Sequence, residues 1–268
     1  MNCILKSKYF IVIILLLLLT LVLWSVNHGK VRTESSQEAR VLTLYCDVAL
    51  RPVLEEIIGT FQRRSDIRIL SEYAASNTLL DTFIEDPDIA DLFLAVDISF
   101  LDQARNAGRV DDIHVIAQTK PVLMLRSGMP HIVLSIKDLT QSGVRVGMPD
   151  LMSALGRVTV GVLKNYDMEL EDIQHNIVVQ DATAPELANA IRTGRIDVAL
   201  VWESLARMTD RSEWLSIPED KSNVVGVGIA RSVRTPDVHA AEEFIAFLRM
   251  RAAQEVLIKH HYELPAQP

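Results

Sequence analysis

The chain has 268 residues, of which 49% are hydrophobic, with a formal net charge of −8. That content is enough to bury one large core or two smaller ones and excludes global disorder. The 27 Lys and Arg residues are scattered without a basic stripe, which argues against nucleic acid as a partner.

Lys6 and Lys8 precede an apolar run from Tyr9 to Val26, closed by Trp24. At 1.5 Å per residue the run reaches about 27 Å as a helix, close to the hydrocarbon thickness of a bilayer. Residues 1–27 are therefore expected to be a signal or transmembrane anchor that leaves the rest of the chain periplasmic or extracytoplasmic. Ser25 to Asn27 is a poor cleavage site, which favours an uncleaved anchor. Cys3 lies before the run and Cys46 beyond it, so the two cannot form a disulfide across the membrane, and Cys3 is misplaced for lipid attachment. Residues 28–40, polar and without periodicity, read as a tether.

Beyond the tether, Val41 to Tyr45 has strand composition, and Val53, Ile57, Ile58 and Phe61 mark one helical face from Pro52 to Phe61. Ile67 to Leu70 is a second strand. Ser76-Asn77-Thr78 then starts a helix carrying Leu79, Leu80, Phe83 and Ile84. Ile89 to Val96 reads as a buried strand, with Asp97 as the cap of a helix ending near Gly108. Further strands are expected at Val122–Leu125, Val144–Gly147, Ile177–Val179, Val198–Trp202 and Val224–Ile229. Thr235-Pro236 suits the N-cap and first turn of a last helix with Ala240, Ala241, Phe244, Ile245 and Leu248 on its apolar face. This alternation implies an α/β fold with mainly parallel sheet and a ligand at the carboxyl ends of the strands. Periodicity alone leaves open whether there is one sheet or two.

The segments LTLYCDVALRPVLEEI, SEYAASNTLLDTF, ADLFLAVDISFLDQARNAGRV, GVRVGMPDLMSALGRVTVGVL, ELANAIRTGRIDVALVW and AAEEFIAFLRMRAAQEVLIKHHYE, in this order and spacing, resemble the molybdate-binding proteins of ABC transporters. These belong to the type II periplasmic solute-binding superfamily. The resemblance covers nearly all of residues 41–268. It implies a two-lobed fold with a hinge, one lobe combining about 41–122 with 218–268 and the other spanning about 123–217. It also implies a monomer that binds a small oxyanion such as molybdate or tungstate for an ABC permease, with no cofactor and no protein-bound metal.

In that family the ligand is held by hydroxyls, a phenol and backbone amides at helix starts, so an acidic protein can still bind an anion. Carried over residue by residue, the second-loop serine is Ser76, whose hydroxyl could equally cap its own helix. The first-strand serine is replaced by Ala49, which leaves only its N–H. Asp47, two residues earlier, would repel an anion if it faced the cleft, and an outward or structural role is expected for it. The third position is Leu155, where Gly156 would let the ligand approach the backbone. The fourth is Ala184, with a register uncertain by one residue. The family's tyrosine is replaced by Trp202, either an indole donor or a core residue. Losing two hydrogen bonds to a charged ligand costs about 3–6 kcal/mol, or roughly two to four decades of affinity, so another small anion stays open as the ligand.

Two other functional classes compete with this reading. An enzyme on the same fold would need a catalytic constellation, but Glu55, Glu56 and Glu203 have no evident partners and read as solvated or capping groups. His260-His261 read as exposed imidazoles, and His114, His131 and His175 are isolated. A membrane-tethered sensor that kept the fold without transport is the second alternative.

Overall fold

The computed structural model describes Thr20 and residues 40–86, 88–218 and 223–266. The apolar run and the tether assigned to residues 1–40 lie outside the described residues, apart from Thr20 and Arg40. Among the described residues no helix is long and apolar enough to cross a membrane.

The first half runs β1 (Val41–Asp47), α1 (Arg51–Gln62), β2 (Arg68–Ala74), α2 (Ser76–Glu85), β3 (Leu92–Ala95), α3 (Ile98–Asn106) and β4 (Val110–Thr119). After β5 (Pro121–Arg126) come β6 (Val146–Pro149), α4 (Ala154–Asn165), α5 (Leu170–Ile173), β7 (Ile177–Ala182), α6 (Ala184–Arg192), β8 (Val198–Trp202), α7 (Glu203–Met208) and β9 (Ser212–Ser216). The chain ends with β10 (Val225–Ser232), α8 (Val238–Leu248) and α9 (Arg251–Lys259).

These strands form two five-stranded sheets, ordered β2-β1-β3-β10-β4 and β7-β6-β8-β5-β9. β3 and β8 are buried along their whole length, as befits strands covered on both faces. The two sheets share one plan: three parallel strands, then one strand running against them. The expected mainly parallel sheet is thus corrected to a mixed one. The reversed strands are β5, entered from β4 through Lys120 alone, and β10, which brings the chain back.

Pro121 and Val122 pair with Trp202 and Val201, so Val122, expected at the end of the first lobe, belongs to the second sheet. The return passage falls between β9 and β10, and residues 219–222 within it lie outside the described residues. β4 and β9, absent from the sequence expectations, each form one of the two edges of their sheet.

Local signals explain the helix starts. Asp97 caps α3 as expected, its carboxylate accepting from the Ser99 N–H at 2.9 Å. The last long helix begins differently: Asp237 caps α8 through the Ala240 N–H at 2.9 Å, while the Thr235 hydroxyl donates to Asp91 at 2.6 Å. Thr235 ties two segments of the first sheet together and is not the cap. Under that sheet the core is locked by aromatic contacts, including Phe61 edge-on to Phe244 at 5.1 Å and Phe83 against Phe93 at 5.7 Å.

Candidate functional site

A helix follows most of the parallel strands, so several helix starts gather at the carboxyl ends of both sheets. Between them lies a cavity of about 20 Å³. Asp47, Val48, Ala75 and Val96 wall it from the first sheet, and Ser153 to Leu155, Thr183, Ala184 and Trp202 from the second. A space of that size holds about one water molecule, so a larger ligand needs the walls to part.

Three of the residues expected at the site, Leu155, Ala184 and Trp202, line this cavity. Ala154 and Leu155 open α4, and Ala184 opens α6. First-turn N–H groups have no acceptor within their own helix and carry the positive end of its dipole. Ser153 caps α4 by accepting from the Gly156 N–H at 3.1 Å, and Thr183 caps α6 in a capping box with Glu186. Those caps engage the Gly156 and Glu186 N–H groups and not those of Ala154, Leu155 and Ala184, the residues that line the cavity.

Gly156 has a different reason from the one expected. A Cβ built on it would lie 2.0 Å from the Asp150 carbonyl oxygen and 2.6 Å from the Leu151 Cα. The missing side chain therefore lets the β6–α4 loop fold tightly over its own helix; the approach it permits is that of the loop, not of a ligand.

Ala49 and Ser76 are turned to another use. The Asp47 carboxylate accepts from the Ala49 N–H at 2.9 Å on one oxygen. Its other oxygen accepts from the Ser76 N–H at 3.1 Å and the Ser76 hydroxyl at 2.5 Å. The donors expected to meet a ligand from the first lobe are thus held by the protein's own carboxylate. Ser76 is the first residue of α2, with Ala75 as the N-cap, so the expectation that its hydroxyl caps its own helix is also corrected.

Asp47 is structural, as expected, but not outward: it is 6% exposed and forms part of the cavity wall. Burial pushes its carboxyl above the ordinary value, opposed by the hydrogen bonds from Ser76 and Ala49. The local half of this arrangement was legible, since an Asp two residues ahead of an alanine N–H is a turn signal. The bond to Ser76, 29 residues away, has no sequence signal.

Trp202 is 1% exposed and stands at the N-cap of α7. It is a core residue that also lines the cavity. The Glu203 N–H donates to the Lys120 carbonyl at 3.0 Å, which pins this corner to the passage between the sheets.

Two groups of side-chain contacts link the walls. The Asn77 amide donates to Asp150 at 2.9 Å. Arg157 donates to the Ser99 hydroxyl at 2.8 Å, reaches Asp97 at 3.4 Å, and its guanidinium lies 4.0 Å from the centre of the Phe100 ring.

The three glutamates and His260 are engaged in ion pairs and hydrogen bonds of their own. Glu55 pairs with Arg51 at 2.7 Å, and Glu203 with Arg207 at 2.7 Å and Lys120 at 3.7 Å. Glu56 meets Lys259 at 2.8 Å and His260 at 2.9 Å. His260 is accordingly partly buried, a correction to the expected exposed pair, whereas His261 is exposed. Among the described residues no group of three or more His, Cys, Asp or Glu could hold a metal ion.

The chain is 29% identical over 212 residues to a putative binding protein of Haemophilus influenzae, an alignment that spans 76% of this chain and 84% of the relative. Among solved structures it superposes on the periplasmic molybdate-binding protein of Azotobacter vinelandii with a TM-score of 0.75 at 16% identity, covering 84% of this chain and all (100%) of the other. It also superposes on the sulfate-binding protein SubI of Mycobacterium tuberculosis with a TM-score of 0.72 at 17% identity, covering 84% and 87%. Likeness at these identities establishes the two-sheet fold and leaves the ligand open. A family model described as bacterial extracellular solute-binding protein matches residues 42–263, and with that match the chain belongs to the bacterial extracellular solute-binding proteins.

Proposed function

We propose that this protein captures a small oxyanion between its two lobes and delivers it to an ABC permease, working as a monomer tethered to the membrane by residues 1–27. The observation that carries this reading is the convergence of the α4 and α6 starts on the cavity between the sheets, with Leu155, Ala184 and Trp202 in its wall. First-turn N–H groups attract an anion without a full positive charge, which suits a chain of net charge −8.

The cavity of about 20 Å³ and the contacts of Asn77 and Arg157 across it describe a closed cleft. Ligand exchange then proceeds by a hinge opening that breaks those contacts, with the passage at Lys120 between β4 and β5 as a pivot. Molybdate and tungstate are the oxyanions that the sequence resemblance favours, and they belong in the test beside phosphate, sulfate and small carboxylates.

Thermal unfolding of the purified protein against that panel tests the proposal. A ligand at 100 times its Kd adds about 2.7 kcal/mol of stability. For a domain of this size that raises Tm by roughly 5–11 °C. A saturable rise with one oxyanion is expected; a Tm unmoved by every member of the panel would defeat the proposal.

A further inference from the structure

A hinge residue absorbs a change in φ and ψ while its neighbours stay bonded to their own lobes. Lys120 is placed for that. Just after it, Pro121 pairs with Trp202 in the second sheet. Two residues before it, Gln118 pairs with Gly226 in the first sheet and also with Glu263 from the C-terminal segment. The Gln118 N–H donates to the Glu263 carbonyl at 2.7 Å, and the Glu263 N–H donates to the Gln118 carbonyl at 3.0 Å. Tyr262, 3% exposed and part of the core, anchors that segment beside the passage.

The same segment supplies a charge. The Lys120 ammonium lies 3.0 Å from the Glu263 carboxylate and 3.7 Å from the Glu203 carboxylate. Glu263 is held on the first sheet, whereas Glu203 opens α7 directly after β8 in the second. One cation thus stands between two like charges that belong to different lobes. The Lys120 side chain is 27% exposed and that of Glu203 12%, so water and salt screen their attraction only in part. Glu203 has a further cation in Arg207 at 2.7 Å, but that contact lies wholly within α7 and is indifferent to the angle between the lobes.

We propose that Tyr262 and Glu263 form a strap over the pivot and that Lys120 is its clasp, the ammonium drawing Glu263 and Glu203 together and biasing the lobes towards the closed cleft. A rotation about Lys120 changes the separation of the two carboxylates, so their shared attraction to one ammonium resists it. Open and closed states of a two-state protein are closely balanced, and a modest ion pair is enough to shift their ratio. This inference rests on the reading of the Lys120 passage as a pivot.

Pulsed dipolar spectroscopy on the ligand-free full chain tests it, with spin labels on Asp81→Cys and Met152→Cys. Asp81 is exposed on α2 and Met152 is 69% exposed on the β6–α4 loop, so the pair spans the two rims of the cleft. Cys3→Ser removes the other thiol, Cys46 being fully buried. Lys120→Met should raise the ratio of long to short distances at least about fivefold, the lower end of couplings between sites. Adding Glu263→Gln removes the like charge left behind and should bring the ratio at least halfway back, a recovery that lost packing of the Lys120 stem would not show. Lys120→Gln repeats the measurement if the first variant does not fold.

Distances unchanged in both Lys120 variants, beside an Arg157→Ala variant in which they lengthen, would overturn the inference and leave the pivot standing. A lengthening that Glu263→Gln does not reverse would overturn it as well, since the Glu263 charge would then have no part. If wild type and every variant, Arg157→Ala included, keep one distance with and without molybdate, sulfate or orthophosphate, the hinge reading falls first and the inference falls with it.

Discussion

Replacing Asp197 with Asn gives the most quantitative test of how the second sheet is held together. Asp197 sits immediately before β8, the strand that delivers Trp202 to the cavity. Its side chain is 6% exposed and accepts from Arg126 at 2.9 Å, from the Arg145 guanidinium at 3.0 and 2.8 Å, and from the Arg145 N–H at 3.1 Å. One carboxylate thereby joins the end of β5 and the residue before β6 to β8. Burial pushes its acidity the other way, yet the bonds from Arg145 and Arg126 prevail and hold the carboxyl down from 3.8 to about 2.

That depression corresponds to about 2.4 kcal/mol of stability. The folded-state value lies below the unfolded one, so the contribution is complete above about pH 4 and is lost as the pH falls towards 2. Asp197→Asn should accordingly cost about 2–3 kcal/mol at pH 7 in urea titrations. In a domain of this size that lowers Tm by roughly 4–12 °C. The difference from wild type should shrink on acidification from pH 4 towards pH 2. A loss under about 0.5 kcal/mol at neutral pH would refute the reasoning, since exposed ion pairs commonly contribute no more than that. A difference that stayed constant down to pH 2 would refute it as well.

Gly156→Ala should destabilise the protein by about 1–3 kcal/mol, because its Cβ would collide with loop backbone at Asp150 and Leu151, which cannot rotate away; thermal unfolding measures this, and an unchanged Tm would show that the loop is loose. Asp237→Ala should cost about 1 kcal/mol, as expected of a lost N-cap, since the pairing of Asp237 with Arg40 is partly exposed and adds little. Arg157→Ala removes the contacts to Ser99 and Phe100 across the cavity, so small-angle scattering of the ligand-free protein should report a larger radius of gyration than wild type. An unchanged radius would mean that these contacts do not hold the cleft shut.

Four of the inner strands are legible in the sequence for one physical reason. β1, β3, β5 and β8 are flanked by other strands, and their apolar runs stand out from polar surroundings. β4, with Asp111, Asp112 and His114 in its first half, and β9, with Ser212, Glu213 and Ser216, lie at sheet edges, where polar side chains face solvent and guard against pairing with other chains. Strand direction was hidden for a different reason: composition carries no sign of which way a strand runs.

The site divides along the same line between local and distant. Helix starts at Ala154 and Ala184 are local patterns, and the family resemblance pointed to Leu155, Ala184 and Trp202. The use of Ser76 is not legible because it depends on Asp47 reaching across from β1 to the start of α2, a contact made only when β1 and β2 pair. Cys46, the neighbour of Asp47, is simply core: it is fully buried, and burial pushes its thiol well above the ordinary value.

The central claim, that first-turn N–H groups of α4 and α6 hold an anion between the two sheets, is tested most directly at those amides. Backbone amide resonances of Ala154, Leu155 and Ala184, followed by NMR through a titration with orthophosphate, should shift together and saturate at one affinity, and their hydrogen exchange should slow in the bound state. Saturable binding that leaves these three amides unmoved, with shifts confined to another surface, would contradict the claim.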